Sequence, residues 1–152
     1  MAKTPTSLDL QAFLPYRLSI VTNKVSRNLA TMYSEKFDLS IAEWRVMAVL
    51  GQSRDLSAEQ VCELTETDKV TVSRAVTKLL NKQYIIRKFS NTDRRRSILR
   101  LSRSGYSVYA QVVPMAKKYE MDLSSCLSKQ ELSQLDGLLN KLKKQAMLLS
   151  EK

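Results

Sequence analysis

Residues 68–103 read DKVTVSRAVTKLLNKQYIIRKFSNTDRRRSILRLSR. The first half alternates apolar and polar residues at helical spacing. Val72, Val76, Leu79 and Leu80 share one side, whereas Val70, Ser73, Arg74, Thr77, Lys78 and Asn81 share the other, with Thr71 on the flank. The second half holds two β-rich runs, Tyr84–Phe89 and Ser97–Leu101, around the polar turn Ser90–Arg96. A basic helix followed at once by a basic hairpin is the expected reading. The stretch holds eleven basic against two acidic residues, a net +9. The other 116 residues hold fourteen basic against thirteen acidic. Charge localised in this way is a field directed at a partner, and polyphosphate is the commonest one. An exposed hairpin with charged edges that block aggregation is the competing reading.

Upstream, Ser57-Ala-Glu-Gln60 is a capping box that opens a short helix to about Leu64. Leu56 and Val61 can form its hydrophobic staple. Thr65-Glu66-Thr67 is a tight connection, and Asp68 or Thr67 caps the basic helix. Two short helices joined this closely, the second cationic, describe a helix-turn-helix, and the hairpin makes it winged. Ser40-Ile-Ala-Glu43 is another capping box. Its helix should run Ile41–Leu50, with Gly51 in a left-handed C′ position.

Outside this lobe the pattern is long and helical. From Leu10 to about Lys36, apolar residues recur at Leu14, Leu18, Val21, Val25, Leu29 and Met32, with Pro15 best placed in the first turn. Ser102 can cap a helix carrying Tyr106, Tyr109, Val112, Val113, Ala116 and Tyr119, with Pro114 inside it. Ser128-Lys-Gln-Glu131 caps a last helix with a broad apolar stripe through Leu132, Leu135, Leu138, Leu139, Leu142, Ala146 and Leu149. Such stripes need covering, and a second copy of the chain is the natural cover. A helical cap within one subunit is the alternative.

The totals narrow the function. At 152 residues the chain is expected to form one domain, mainly α with a small β-wing. Residues 40–102 would be the winged helix-turn-helix lobe, and 10–36 with 103–150 a helical dimerisation region. No apolar run is long enough for a membrane span. The start, MAKTPTSLDL, has no apolar signal region, so a cytoplasmic location is expected. There is no histidine, no glycine-rich phosphate loop and no nucleophile elbow, so an enzyme is not expected. Two cysteines, Cys62 and Cys126, cannot complete a zinc site. Both are read as buried thiols, and no cofactor is expected.

With these elements in order, the chain resembles the MarR family of winged-helix regulators. The resemblance rests on SIAEWRVMAVL (40–50), DKVTVSRAVTKLLNKQYI (68–85), TDRRRSILRLSRSGYSVY (92–109) and LSKQELSQLDGLLNKL (127–142). Asp93-Arg94-Arg95 followed by Leu101-Ser102 and Gly105 is its most specific part. It implies a homodimer built on the terminal helices, with two recognition helices and two wings on a pseudo-palindromic double-stranded operator. It also implies a repressor released by a small effector, often an anionic aromatic. Two departures stand out. Gln83 occupies a place where relatives often have glycine. No cysteine lies near the start of the first long helix, where oxidant-sensing members carry one.

The expected DNA contacts are Lys69, Val70, Thr71, Ser73, Arg74, Thr77 and Lys78 on the helix, with Lys88, Arg94, Arg95, Arg96 and Arg100 on the wing. Asp93 would fix the wing turn. The expected effector set is Arg17, Asn23, Arg27 and Trp44, with Met47 and Tyr109 as apolar wall. Trp44 as core and Arg27 in an intra-subunit salt bridge are the competing readings. An effector-independent architectural protein with little sequence choice is the alternative function.

Overall fold

The computed structural model describes residues 7–89, 91–93 and 97–151. The described elements are α1 (Leu14–Ala30), α2 (Ser34–Phe37), α3 (Ile41–Gln52), α4 (Ala58–Thr65), α5 (Lys69–Asn81), β1 (Ile85–Phe89), β2 (Ser97–Leu101), α6 (Arg103–Ser124) and α7 (Lys129–Ser150). The fold is mainly α with one two-stranded antiparallel wing. Two compact units divide the chain, residues 1–114 and 115–152, and Pro114 inside α6 marks the division.

In the first unit the core gathers Val46, Met47 and Leu50 from α3, Val61 from α4 and Val72, Val76 and Leu79 from α5. Ile85 and Leu99 of the wing close it. The boxes opening α3 and α4 form as expected. Ser40 Oγ accepts from the Glu43 N–H (3.2 Å) while Glu43 Oε2 accepts from the Ser40 N–H (2.8 Å); Ser57 and Gln60 repeat the exchange. Each box satisfies two backbone donors that a helix start otherwise leaves open.

Three expectations need correction. The first helix does not run to Lys36. It ends at Ala30, and α2 follows before Asp38 turns left-handed (φ 51°). The break lets Tyr33, Phe37 and Leu39 enter the core, which a straight continuation of the Leu14–Met32 stripe would not achieve. Secondly, α3 runs through Gly51 to Gln52, and the left-handed residue is Asp55 (φ 63°). Gly51 is small for another reason: a Cβ there would lie 2.4 Å from Cε2 of Tyr109. Thirdly, neither thiol is fully buried. Cys62 is half-buried and Cys126 exposed, beyond the last turn of α6.

The wing pairs Ile85 with Leu101 and Phe89 with Ser97. A further pairing was not legible beforehand. Leu56 and Leu99 exchange backbone hydrogen bonds (3.2 and 2.8 Å), fastening the base of the wing to the α3–α4 connection. In the second unit Ser128 caps α7 through a full box with Glu131. Hydrogen bonds from the Ser128 N–H and hydroxyl side of that box hold the Glu131 carboxyl below its ordinary value. No residue of α7 is buried.

Candidate nucleic-acid interface

Helix α5 is capped by Asp68. Its Oδ1 accepts from the Thr71 N–H (2.9 Å) and its Oδ2 from the Thr71 hydroxyl (2.7 Å). The bond from the Thr71 backbone, then that from its hydroxyl, holds the Asp68 carboxyl below its ordinary value. The cap leaves α5 starting cleanly, with Lys69, Val70, Ser73, Arg74, Thr77 and Lys78 all exposed. Their sharing of one face follows from spacings of three and four on a helix whose other side is buried. Thr71 is half-buried and committed to the cap. The Thr77 hydroxyl donates back to the Ser73 carbonyl (2.9 Å).

On the wing, Lys88 lies exposed on β1 and Asp93 exposed in the turn. Arg94, Arg95 and Arg96 lie outside the described residues. Arg100 is half-buried on β2, and its guanidinium donates to Asp55 Oδ1 through Nε (2.7 Å) and through Nη2. Its charge is therefore partly answered within the lobe. Arg87, not singled out by sequence, is exposed on β1 and lines a recess of about 350 Å3 with Lys69, Ser73 and Cys62.

Sequence reasoning also missed what holds the far end of α5. Lys82, the C-cap residue, places Nζ 2.9 Å from Glu43 Oε1 and 3.2 Å from Asp38 Oδ2, and it also donates to the Asp38 carbonyl. Glu43 is the one buried charged residue among those described. Burial pushes its carboxyl up, yet hydrogen bonds from Lys82 and Ser40, with the Lys82 charge, win and hold it below its ordinary value. Burial likewise opposes the Lys82 charge, and bonds to Glu43 and Asp38 outweigh it, raising the ammonium above its ordinary value. A capping-box glutamate and a lysine after a helix were both visible. That they meet across 39 residues was not.

The expected effector residues are not brought into one open pocket. Arg17, Asn23 and Arg27 lie exposed on α1. Trp44 and Met47 are buried in the core, which agrees with the competing reading of Trp44 and corrects the reading of Met47 as open pocket wall. Trp44 lies between Tyr33 (centroids 5.6 Å) and the half-buried Tyr109 (6.0 Å, stacked). Burial pushes the Tyr33 phenol up to about 12 against the opposing charge of Arg45, so it stays protonated near neutrality. Arg45 Nη2 donates to Ser26 Oγ (3.2 Å), tying α1 to α3. Among the described residues, no three His, Cys, Asp or Glu side chains form a metal-binding group, and no helix is long and apolar enough to cross a membrane.

Known proteins share this arrangement. The family model described as the MarR family matches residues 37–96. A Thauera aromatica protein described as a putative transcriptional regulatory protein for the hcr operon is 29% identical over 100 residues. The match covers 66% of this chain, and the chain spans 60% of that relative's length. Among solved structures, a MarR/EmrR family transcriptional regulator from Acinetobacter sp. ADP1 superposes with a TM-score of 0.86 at 28% identity, covering 93% of this chain and 99% of that one. MepR from S. aureus, crystallised in complex with DNA, superposes at 0.79 with 21% identity, covering 88% and 98%. Over residues 37–96 by sequence, and over nearly the whole chain by fold, this protein is similar to winged helix-turn-helix regulators of the MarR family.

Proposed function

We propose that this protein is a homodimeric, sequence-specific DNA-binding regulator of transcription that acts in the cytoplasm. It represses from a pseudo-palindromic double-stranded operator and is released by a small anionic aromatic effector. The observation that carries the DNA-binding reading is the exposed face of α5. Lys69, Arg74 and Lys78 stand on one side of a firmly capped helix whose opposite side is core, within a segment of net +9. The N-terminal half of such a helix reaches base edges in a major groove. Val70, Thr71, Ser73 and Thr77 shape the fit. Lys88 and Arg100 serve phosphates, and the wing arginines Arg94, Arg95 and Arg96 serve the minor groove, with Asp93 holding their turn.

The dimer reading is supported by the apolar faces left open on the terminal helices, Leu14, Leu18 and Val21 on α1 and Leu135, Leu138 and Leu142 on α7. Residues 10–36 and 103–150 are proposed as the region that pairs. For the effector, the exposed Arg17 and Arg27 would pair with a carboxylate and Asn23 would add a hydrogen bond. Tyr109, half-buried on α6, would add apolar wall. Calorimetry with benzoates and hydroxycinnamates tests it: no heat and no loss of DNA binding would remove the aromatic-acid reading.

The DNA reading is tested by two single substitutions on a duplex that the protein enriches from a random library. Arg74→Ala should cost about 1–3 kcal/mol of discrimination between bases. Lys88→Ala should weaken all sequences alike and lower the salt slope by about one. If both variants bind as the parent does, α5 and the wing are not the reading surface. Equal affinity of the parent for enriched and random duplexes would instead favour an architectural DNA-coating protein.

A further inference from the structure

The segment Lys82–Tyr84, where α5 hands the chain to the wing, is held from two sides. On one side is the Lys82 ammonium, 2.9 Å from buried Glu43 at the start of α3. On the other is the Gln83 carbonyl, which accepts from the Ser102 hydroxyl (2.6 Å) and the Ser104 hydroxyl (2.9 Å) at the start of α6. Gln83 itself is left-handed (φ 59°). The Tyr84 N–H donates to the Leu79 carbonyl and the Gln83 N–H to the Leu80 carbonyl, both at 3.0 Å, which closes a Schellman motif around a residue that is not glycine. A non-glycine residue persists in that conformation where its surroundings over-determine it. They do so here: the Ser102 N–H donates to the Tyr84 carbonyl (3.0 Å). A Cβ on Gly105 would stand 1.8 Å from that same oxygen.

We propose that this double grip is the device that aims the recognition helix, with Lys82, Ser102 and Ser104 as positioning residues that never touch DNA. The inference rests on the DNA-binding reading and adds to it the part that sets sequence choice. Its physical basis is leverage. Arg74 lies eight residues from Lys82, about 12 Å along the helix axis. A pivot of about 5° at the C-terminal end moves Arg74 by about 1 Å, enough to spoil a bidentate hydrogen bond while leaving a phosphate contact tolerable. The grip should therefore control recognition of a chosen sequence more than general attraction to DNA.

The test uses the full chain, the duplex enriched by the parent protein, and an unselected duplex of the same length. Lys82→Met leaves the Glu43 carboxylate buried without its cation, so both stability and binding to the enriched duplex should fall. Adding Glu43→Gln removes the orphaned charge and should restore the urea midpoint. Affinity for the enriched duplex should nonetheless stay about tenfold below the parent's, with random-duplex affinity and salt slope unchanged. Ser104→Ala, which spares the Ser102 cap of α6, should lower enriched-duplex affinity by about threefold to tenfold, again without moving the random-duplex value. Recovery of sequence choice together with stability in the double variant, or parallel loss on both duplexes, overturns the proposal. If the parent enriches no sequence, the sequence-specific reading falls separately. Amide exchange of residues 80–84 then decides: faster exchange in Ser104→Ala and in the double variant upholds the grip, and unchanged exchange ends it.

Discussion

Helices α5 and α7 carry similar apolar stripes with opposite fates. On α5, Val72, Val76 and Leu79 are 1%, 2% and 0% exposed; on α7, Leu138 and Leu149 are 57% and 61% exposed. Apolar spacing alone cannot tell the two apart, because a helix buries its stripe only where another element arrives. For α5 that element is supplied by the same chain, through α3, α4 and the base of the wing. On α7 the stripe is left open, which is the physical ground for proposing a second copy.

The strongest way to break this comparison is to truncate both stripes. Leu79→Ala should cost about 2–5 kcal/mol in urea unfolding, since it empties a fully enclosed site. Leu139→Glu should leave the lobe's helical circular dichroism intact and convert the protein to a monomer in sedimentation, with a urea midpoint that no longer rises with protein concentration. A dimer that survives Leu139→Glu would remove α7 from the pairing surface.

A smaller effect sharpens the picture of the lobe. The Glu43 carboxyl is held below its ordinary value, so the folded state binds its proton less readily than the unfolded chain. Its contribution is present above the unfolded value and is lost as pH falls through the lower, folded value. Lys82 works in the other direction: its share is complete below the unfolded value and is lost only as pH rises through a still higher folded one. Stability should therefore hold through neutrality and fall on the acid side, and Glu43→Gln should flatten that acid limb. An acid limb unchanged in Glu43→Gln would mean that other groups govern it.

The smallest effect concerns the C-terminal end of α5. Replacing left-handed Gln83 with glycine relieves a steric cost, so Gln83→Gly should stabilise the protein by about 0.5–1 kcal/mol. A loss of stability would show that the Gln83 side chain contributes more than its backbone conformation costs.

Much of the lobe was legible because its signals are local. Capping boxes at Ser40, Ser57 and Ser128, the cap at Asp68, and the alternation through 69–81 each act within a few residues, and each formed as read. The errors arose where a distant residue decided. Gly51 reads as a helix stop, but its lack of a side chain admits the ring of Tyr109. The stripe from Leu14 to Met32 invites one long helix, but burial of Tyr33 and Phe37 breaks it. Trp44, placed in the effector set with core as the stronger reading for the residue alone, packs against two tyrosine rings, as a core residue does.

By itself, the sequence determined the order of elements from α3 to β2, the placing of positive charge on one helix and hairpin, and the outward face of α5. Helical periodicity, capping and net charge need no knowledge of the rest of the chain. Tertiary structure alone decided which cations remain outward. Lys82 meets Glu43 and Arg100 meets Asp55 across 39 and 45 residues, distances over which only the folded path of the backbone brings opposite charges together.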